Sequence, residues 1–142
     1  MTSRLATAAI VAFLAVGCGE DGTRTVWDIT FSANSVGNLG ALQIDVSGPD
    51  GGGWLGKGAS TECEALVSAI LAANFVGEGR LKASLISLDG IATPGPFLRC
   101  GFESEDIPLA DDFSIRVVDA ADTESDPVSP LPVVIVSGIE PR

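Results

Sequence analysis

The 142-residue chain has no histidine and no tyrosine. Without an imidazole there is no Ser-His-Asp or Cys-His nucleophile, and zinc hydrolase motifs built on histidine ligands are excluded as well. Cations are scarce, with 8 Lys and Arg against 19 Asp and Glu, and the net charge falls to near −12 once Arg4 is removed with a leader. Such a balance repels phosphate backbones, and no basic stripe offsets it, so nucleic acid is excluded as a partner. It also disfavours lying flat on an anionic leaflet. Apolar runs are short: Leu5 to Val16 cannot comfortably span a bilayer and has no basic stop-transfer flank. There is no internal repeat.

What is present begins with an export signal. Arg4 supplies a positive start, Leu5 to Val16 the apolar stretch, and Ala15-Val16-Gly17 place small residues before Cys18. The segment resembles the lipobox of bacterial lipoproteins, with Ala15 where that family most often has leucine. The resemblance implies cleavage over 1–17, a thioether-linked diacylglycerol and an amine-linked acyl chain on Cys18, and stable anchoring by more than one chain. The expected location is the cell envelope, on the extracytoplasmic side of the outer or cytoplasmic membrane. An ordinary signal peptide cut at another small residue is the competing reading. Of the three cysteines, Cys18 is then spoken for, which leaves Cys63 and Cys100 as an even pair in an oxidising compartment. A bridge between them is worth about 4 kcal/mol by the chain-entropy model. Two reduced thiols are the alternative.

About 124 residues follow Cys18, enough for one domain with a real core. Residues 18–25 form the lipidated cysteine and a short tether that reaches at most about 25 Å, and 26–142 form the domain. Trp27, Ile29, Phe31 and Ala33 alternate with Asp28, Thr30 and Ser32, and Leu42, Ile44 and Val46 alternate with Gln43 and Asp45. Arg80 to Leu88, Phe97 to Glu103, Phe113 to Ala120 and Leu131 to Ile139 predict further strands between turn clusters. Glu62 to Asn74 carries helical spacing in Leu66, Val67, Ile70 and Leu71, so a short helix competes with one or two strands, and a strand with a short helical turn nearby is the expected outcome. Gly48 to Gly53 is a loop and not a phosphate cradle, because no Lys-Ser or Lys-Thr follows. Short strands with 17 glycines and 8 prolines in the turns predict an all-β antiparallel sandwich.

Val26-Trp27-Asp28-Ile29-Thr30-Phe31 and Leu39-Gly40-Ala41-Leu42-Gln43-Ile44-Asp45-Val46-Ser47 resemble the opening of cohesin-like modules. Ala73-Asn74-Phe75, Gly79 to Ser87 and Phe113 to Val117 are similar to that family's central turn, the strand after it and a late strand. The resemblance implies a jelly-roll of about nine strands, a fold shared with certain carbohydrate-binding modules. It also implies binding rather than catalysis: cohesins hold dockerin modules through one sheet face, and related sandwiches bind polysaccharide through exposed aromatics.

Chemistry-bearing residues are few. Asp111, Asp112, Glu103 and Glu105 have the type needed for a glycosidase carboxylate pair, although acids in turns are usually solvated. Asp119, Asp122, Glu124 and Asp126 crowd one hairpin loop and could supply oxygens to calcium, the one cofactor considered; a solvated hairpin tip is the alternative. The stretch lacks the EF-hand spacing. Trp27 shares the parity of Ile29 and Phe31 and is expected in the core, while Trp54 is expected to pack at the sandwich edge, with ligand contact as its alternative role. The expected function is a membrane-anchored, non-catalytic binding module for a polysaccharide or a dockerin-like protein. A structural envelope lipoprotein is the alternative, and a glycoside hydrolase accessory activity the third.

Overall fold

Two-residue alternation buries one side of each long strand, and two such sheets close on each other. The computed structural model describes residues 22–77 and 79–142, so the expected leader and Cys18 lie outside the described residues. Among the described residues eleven strands form: β1 (Thr25–Asn34), β2 (Leu39–Ser47), β3 (Gly53–Trp54), β4 (Gly56–Lys57), β5 (Ser60–Thr61), β6 (Cys63–Ala65), β7 (Ile70–Phe75), β8 (Arg80–Ile91), β9 (Gly95–Ser104), β10 (Ser114–Ala121) and β11 (Val133–Pro141). The first sheet runs β11-β1-β9, with β3 and β6 sharing the remaining edge of β9; the second runs β10-β2-β8-β7. All strand pairs in both sheets are antiparallel.

The count exceeds the expected nine or so because the edge beside β9 is broken. Glycines interrupt it, and β4 with β5 makes a small separate hairpin between β3 and β6. Glu62 to Asn74 contains two strands and no helical turn. Its helix-like spacing arises because Val67 and Leu71 pack on the core while Ile70 faces out, 76% exposed.

The core is built from the predicted sets. Ile29, Phe31 and Ala33 from β1 meet Leu42, Ile44 and Val46 from β2, all at 2% exposure or less. Trp54, Phe102 and Phe113 add an aromatic cluster, with Phe102 edge-on to Trp54 at 4.9 Å and to Phe113 at 5.3 Å between ring centres. Edge-to-face pairs of this kind add about 0.5–1.5 kcal/mol each beyond area burial. Trp27 packs partly buried against the same core, and its Nε1 has no acceptor. The glycine at position 40 is required by contact, since a Cβ there would lie 2.6 Å from the Asp122 carbonyl oxygen.

Cys63 stands directly opposite Cys100 in the ladder, Cα atoms 4.1 Å apart, and the two form a disulfide. The bridge pins the three-residue β6 to β9. Strand directions also give the sandwich two distinct ends. Thr25, Ser47, Ser104 and Pro141 lie at the end where the chain enters, the tether end. The opposite end carries the turns around Val36, Asp89, Thr93 and Asp122, whose charged residues Asp89, Asp122, Glu124 and Asp126 are all acidic.

Candidate functional site

The outer face of the second sheet is a graded surface set by strand register. Odd positions of β2 point outward because Leu42, Ile44 and Val46 point in, and the same parity rule orients β7, β8 and β10. The row nearest the far end is Ile70, Ile86, Ala41 and Ala121, read across β7, β8, β2 and β10. Two residues along lies Ala72, Ser84, Gln43 and Asp119, and two further lies Asn74, Lys82, Asp45 and Arg116. Arg80, Ser47 and Ser114 form the last row. The face therefore passes from aliphatic, through small and polar, to cationic.

The aliphatic end is well exposed, with Ile70 at 76%, Ile86 at 55% and Leu88 at 90%. Leu88 stays outside because Ser87 takes the inward position, donating to the carbonyls of Ser68 at 2.7 Å and Gly90 at 3.2 Å. Beside Ile86, the small Ala41 and Ala121 leave a shallow hollow of about 210 Å³, bordered by Gln43, Ser84 and Asp119.

The cationic end is organised by Asp45. Arg116 donates to its Oδ2 at 2.7 Å, and Arg80 approaches the same oxygen at 3.8 Å. The Arg116 hydrogen bond holds the carboxyl below the usual carboxylate range; burial opposes this, and the charges of Lys82, Arg116 and Arg80 assist. Asp45 Oδ1 is buried with no donor. Three cations thus surround one acid. By contrast Arg24 is paired with Glu103, Arg99 with Glu64, and Arg142 with both Asp28 and Glu62. The two acids raise the affinity of Arg142 for its proton, chiefly through the Glu62 hydrogen bond and then that of Asp28. Among the described residues, the second sheet's face gathers Arg80, Lys82 and Arg116 against two acids, Asp45 and Asp119.

The expected site residues fall elsewhere. Trp54 takes the packing role rather than the ligand-contact one: it is 8% exposed, sits among Phe31, Phe102 and Phe113, and donates Nε1–H to the Gly79 carbonyl at 2.8 Å. No ring face is left for a sugar. Asp122, Glu124 and Asp126 do converge, with one oxygen from each within 4.8 Å of the others, a group that could hold a metal ion. Asp122 Oδ1 already accepts the Glu124 and Asp126 N–H groups, each at 2.9 Å. Asp119 is outside that group and accepts the Ala120 N–H. Among the glycosidase candidates, Glu103 is held by Arg24, and Asp112 accepts the Leu109 N–H at 2.7 Å. Glu105 and Asp112 line a small cleft of about 190 Å³.

A second groove of about 540 Å³ runs over Ser32, Asn34, Pro94, Val133 and Ile135 on the first sheet. Its hydroxyls Ser32 and Ser137 bond to each other at 2.6 Å, and Val133 and Ile135 give it aliphatic surface.

Sequence reading missed Ile70, Lys82, Ile86, Leu88 and Arg116 as a surface. The available signal was Leu85-Ile86-Ser87-Leu88, where apolar residues occupy both parities and one set must face outward. Compared with protein-family models, curated proteins and solved structures, the chain matches none.

Proposed function

We propose that the chain is a cohesin-like, non-catalytic recognition module, lipid-anchored through Cys18 on the outside of a bacterial membrane, that binds a protein through the outer face of its second sheet. The observation that carries this reading is the character of the exposed apolar residues. Among the described residues, every large hydrophobic side chain exposed to solvent is aliphatic. Sugar rings are gripped by flat aromatic faces, whereas an aliphatic patch beside charges suits a polypeptide. With Trp54 inside the sandwich, the polysaccharide branch of the expectation loses its main contact residue. Calcium is assigned no part in recognition: the acidic loop offers three carboxylates at the far end, and calcium takes six to eight oxygens.

The test places a photo-crosslinking residue at position 86 of the full chain in its native envelope, with position 140 on the first sheet as control. Protein adducts from 86, few from 140, and no retention on a polysaccharide panel support the reading. Retention on a polysaccharide without protein adducts refutes it.

A further inference from the structure

We propose that the occupant of this face is a second copy of the chain, docked about a two-fold axis that runs parallel to the strands between β2 and β8. The inference rests on the preceding reading that this face is the recognition surface, and it names the partner. Such an axis lays β8 of one copy over β2 of the second, and β7 over β10.

Register then decides which side chains meet. Ile86 falls over Ala41 and Ile70 over Ala121, so each bulky residue lands on a small one. The hollow above Ala41 and Ala121 is the space these isoleucines would enter. One step along, Ser84 meets Gln43, two groups able to hydrogen-bond. At the cationic end Lys82 falls over Asp45, which Arg116 of its own copy already holds, and Asn74 falls over Arg116. β7 and β8 carry the isoleucines and Lys82, while β2 and β10 carry the alanines and Asp45. A face arranged in this way is complementary to itself under one rotation, which is the requirement for an isologous dimer. Twisted sheets stack face to face within about 30° of parallel, so this alignment is an ordinary one.

The tether selects the same axis. A rotation parallel to the strands keeps both tether ends on one side. An axis across the strands would separate them by the length of the sandwich, about 33 Å for the 10 residues of β1. A tether of at most about 25 Å is shorter than that length, so two copies that stand upright on one bilayer pair in the parallel sense. The facing area is modest. Four strands at about 4.8 Å spacing, each contributing about seven residues at 3.3 Å, give on the order of 400 Å² per copy. Stable complexes begin near a total of about 1,200 Å². The pairing is therefore weak in solution and gains its strength from confinement to the membrane, which raises effective concentration.

Full-length chains carrying Ile86→Cys and Ala41→Cys are co-expressed in one envelope and oxidised briefly; a second pair, Ile86→Cys with Glu140→Cys, serves as control. The expected result is a dimer adduct for 86 with 41 about tenfold above the control, falling to the control level when Lys82→Glu is added. Lys82 is exposed, so an unchanged urea midpoint shows that its replacement leaves the fold intact. An 86–41 adduct no stronger than the control overturns the proposal. If photo-adducts to a different protein persist at position 86 in that case, the face is a recognition surface with another occupant; if they are absent too, the reading of the face fails with it.

Discussion

Removing the Cys63–Cys100 bridge tests how the sandwich edge is held. The cysteines are 37 residues apart, and the chain-entropy relation for a loop of that length gives about 4 kcal/mol at 25 °C. Little is expected to offset this loss. Cys100 is 1% exposed and a reduced thiol there packs as a small apolar group, while Cys63 faces it in register and needs no rearrangement. The double substitution Cys63→Ala, Cys100→Ala should therefore lower unfolding free energy by about 3–4 kcal/mol, and Tm by about 10–20 °C for a domain of this size. Urea unfolding followed by tryptophan fluorescence measures it, because Trp54 sits in the core beside Phe102. The second sheet does not contain either cysteine, so the folded variant should keep its far-UV signature. A stability difference below about 0.5 kcal/mol would refute the reasoning, since the open loop would then carry no entropy that the bridge removes.

Three further outcomes follow from the packing and the charges. Trp54→Ala should cost about 3–5 kcal/mol, the range for emptying a buried aromatic site, measured by urea denaturation; an unchanged midpoint would mean the ring is not in the core. Gly40→Ala should destabilise by about 1–3 kcal/mol because the added methyl meets the Asp122 backbone, and a calorimetric Tm equal to that of the parent would contradict the close approach. Asp45 has a lowered folded pKa, so its contribution is present above the ordinary value of about 3.9 and is lost as pH falls through the folded value. The stability gap between the parent and Asp45→Asn should therefore shrink as pH drops below about 4, and a gap constant from pH 7 to pH 3 would show that the Arg116 pair contributes nothing.

The core was legible in the sequence because burial in a sandwich repeats every second residue. Ile29, Phe31, Leu42, Ile44 and Val46 could be assigned from parity alone, and the Cys63–Cys100 pairing from the cysteine count together with the expectation of an oxidising compartment. For Trp54 packing was the better reading, but parity could not decide it against ligand contact. Its strand is two residues long, and the glycines before it carry no side chains from which parity could be read. The acidic loop was visible as composition, but folding brought only Asp122, Glu124 and Asp126 together and left Asp119 on β10. The proposed binding face was hidden for a different reason. Its rows join residues from four strands as far apart in sequence as Ala41 and Ala121, and only the pairing register brings them side by side. Within β8, Ser87 occupies an inward position that its hydrogen bonds to Ser68 and Gly90 make affordable, which turns Ile86 and Leu88 outward against their own hydrophobicity.

The most direct test of the proposed recognition face uses the chain's own lysines. It has two, Lys57 on β4 and Lys82 on the second sheet, and both are exposed. Amine acetylation of the full-length chain, read by mass spectrometry, compares their reactivity in the native membrane and again after dispersal in dilute detergent. If the face is occupied, Lys82 should react several-fold more slowly relative to Lys57 in the membrane, and the ratio should rise on dispersal. An identical ratio in the two states would show that the outer face of the second sheet stands uncovered where the protein works, and would contradict the account.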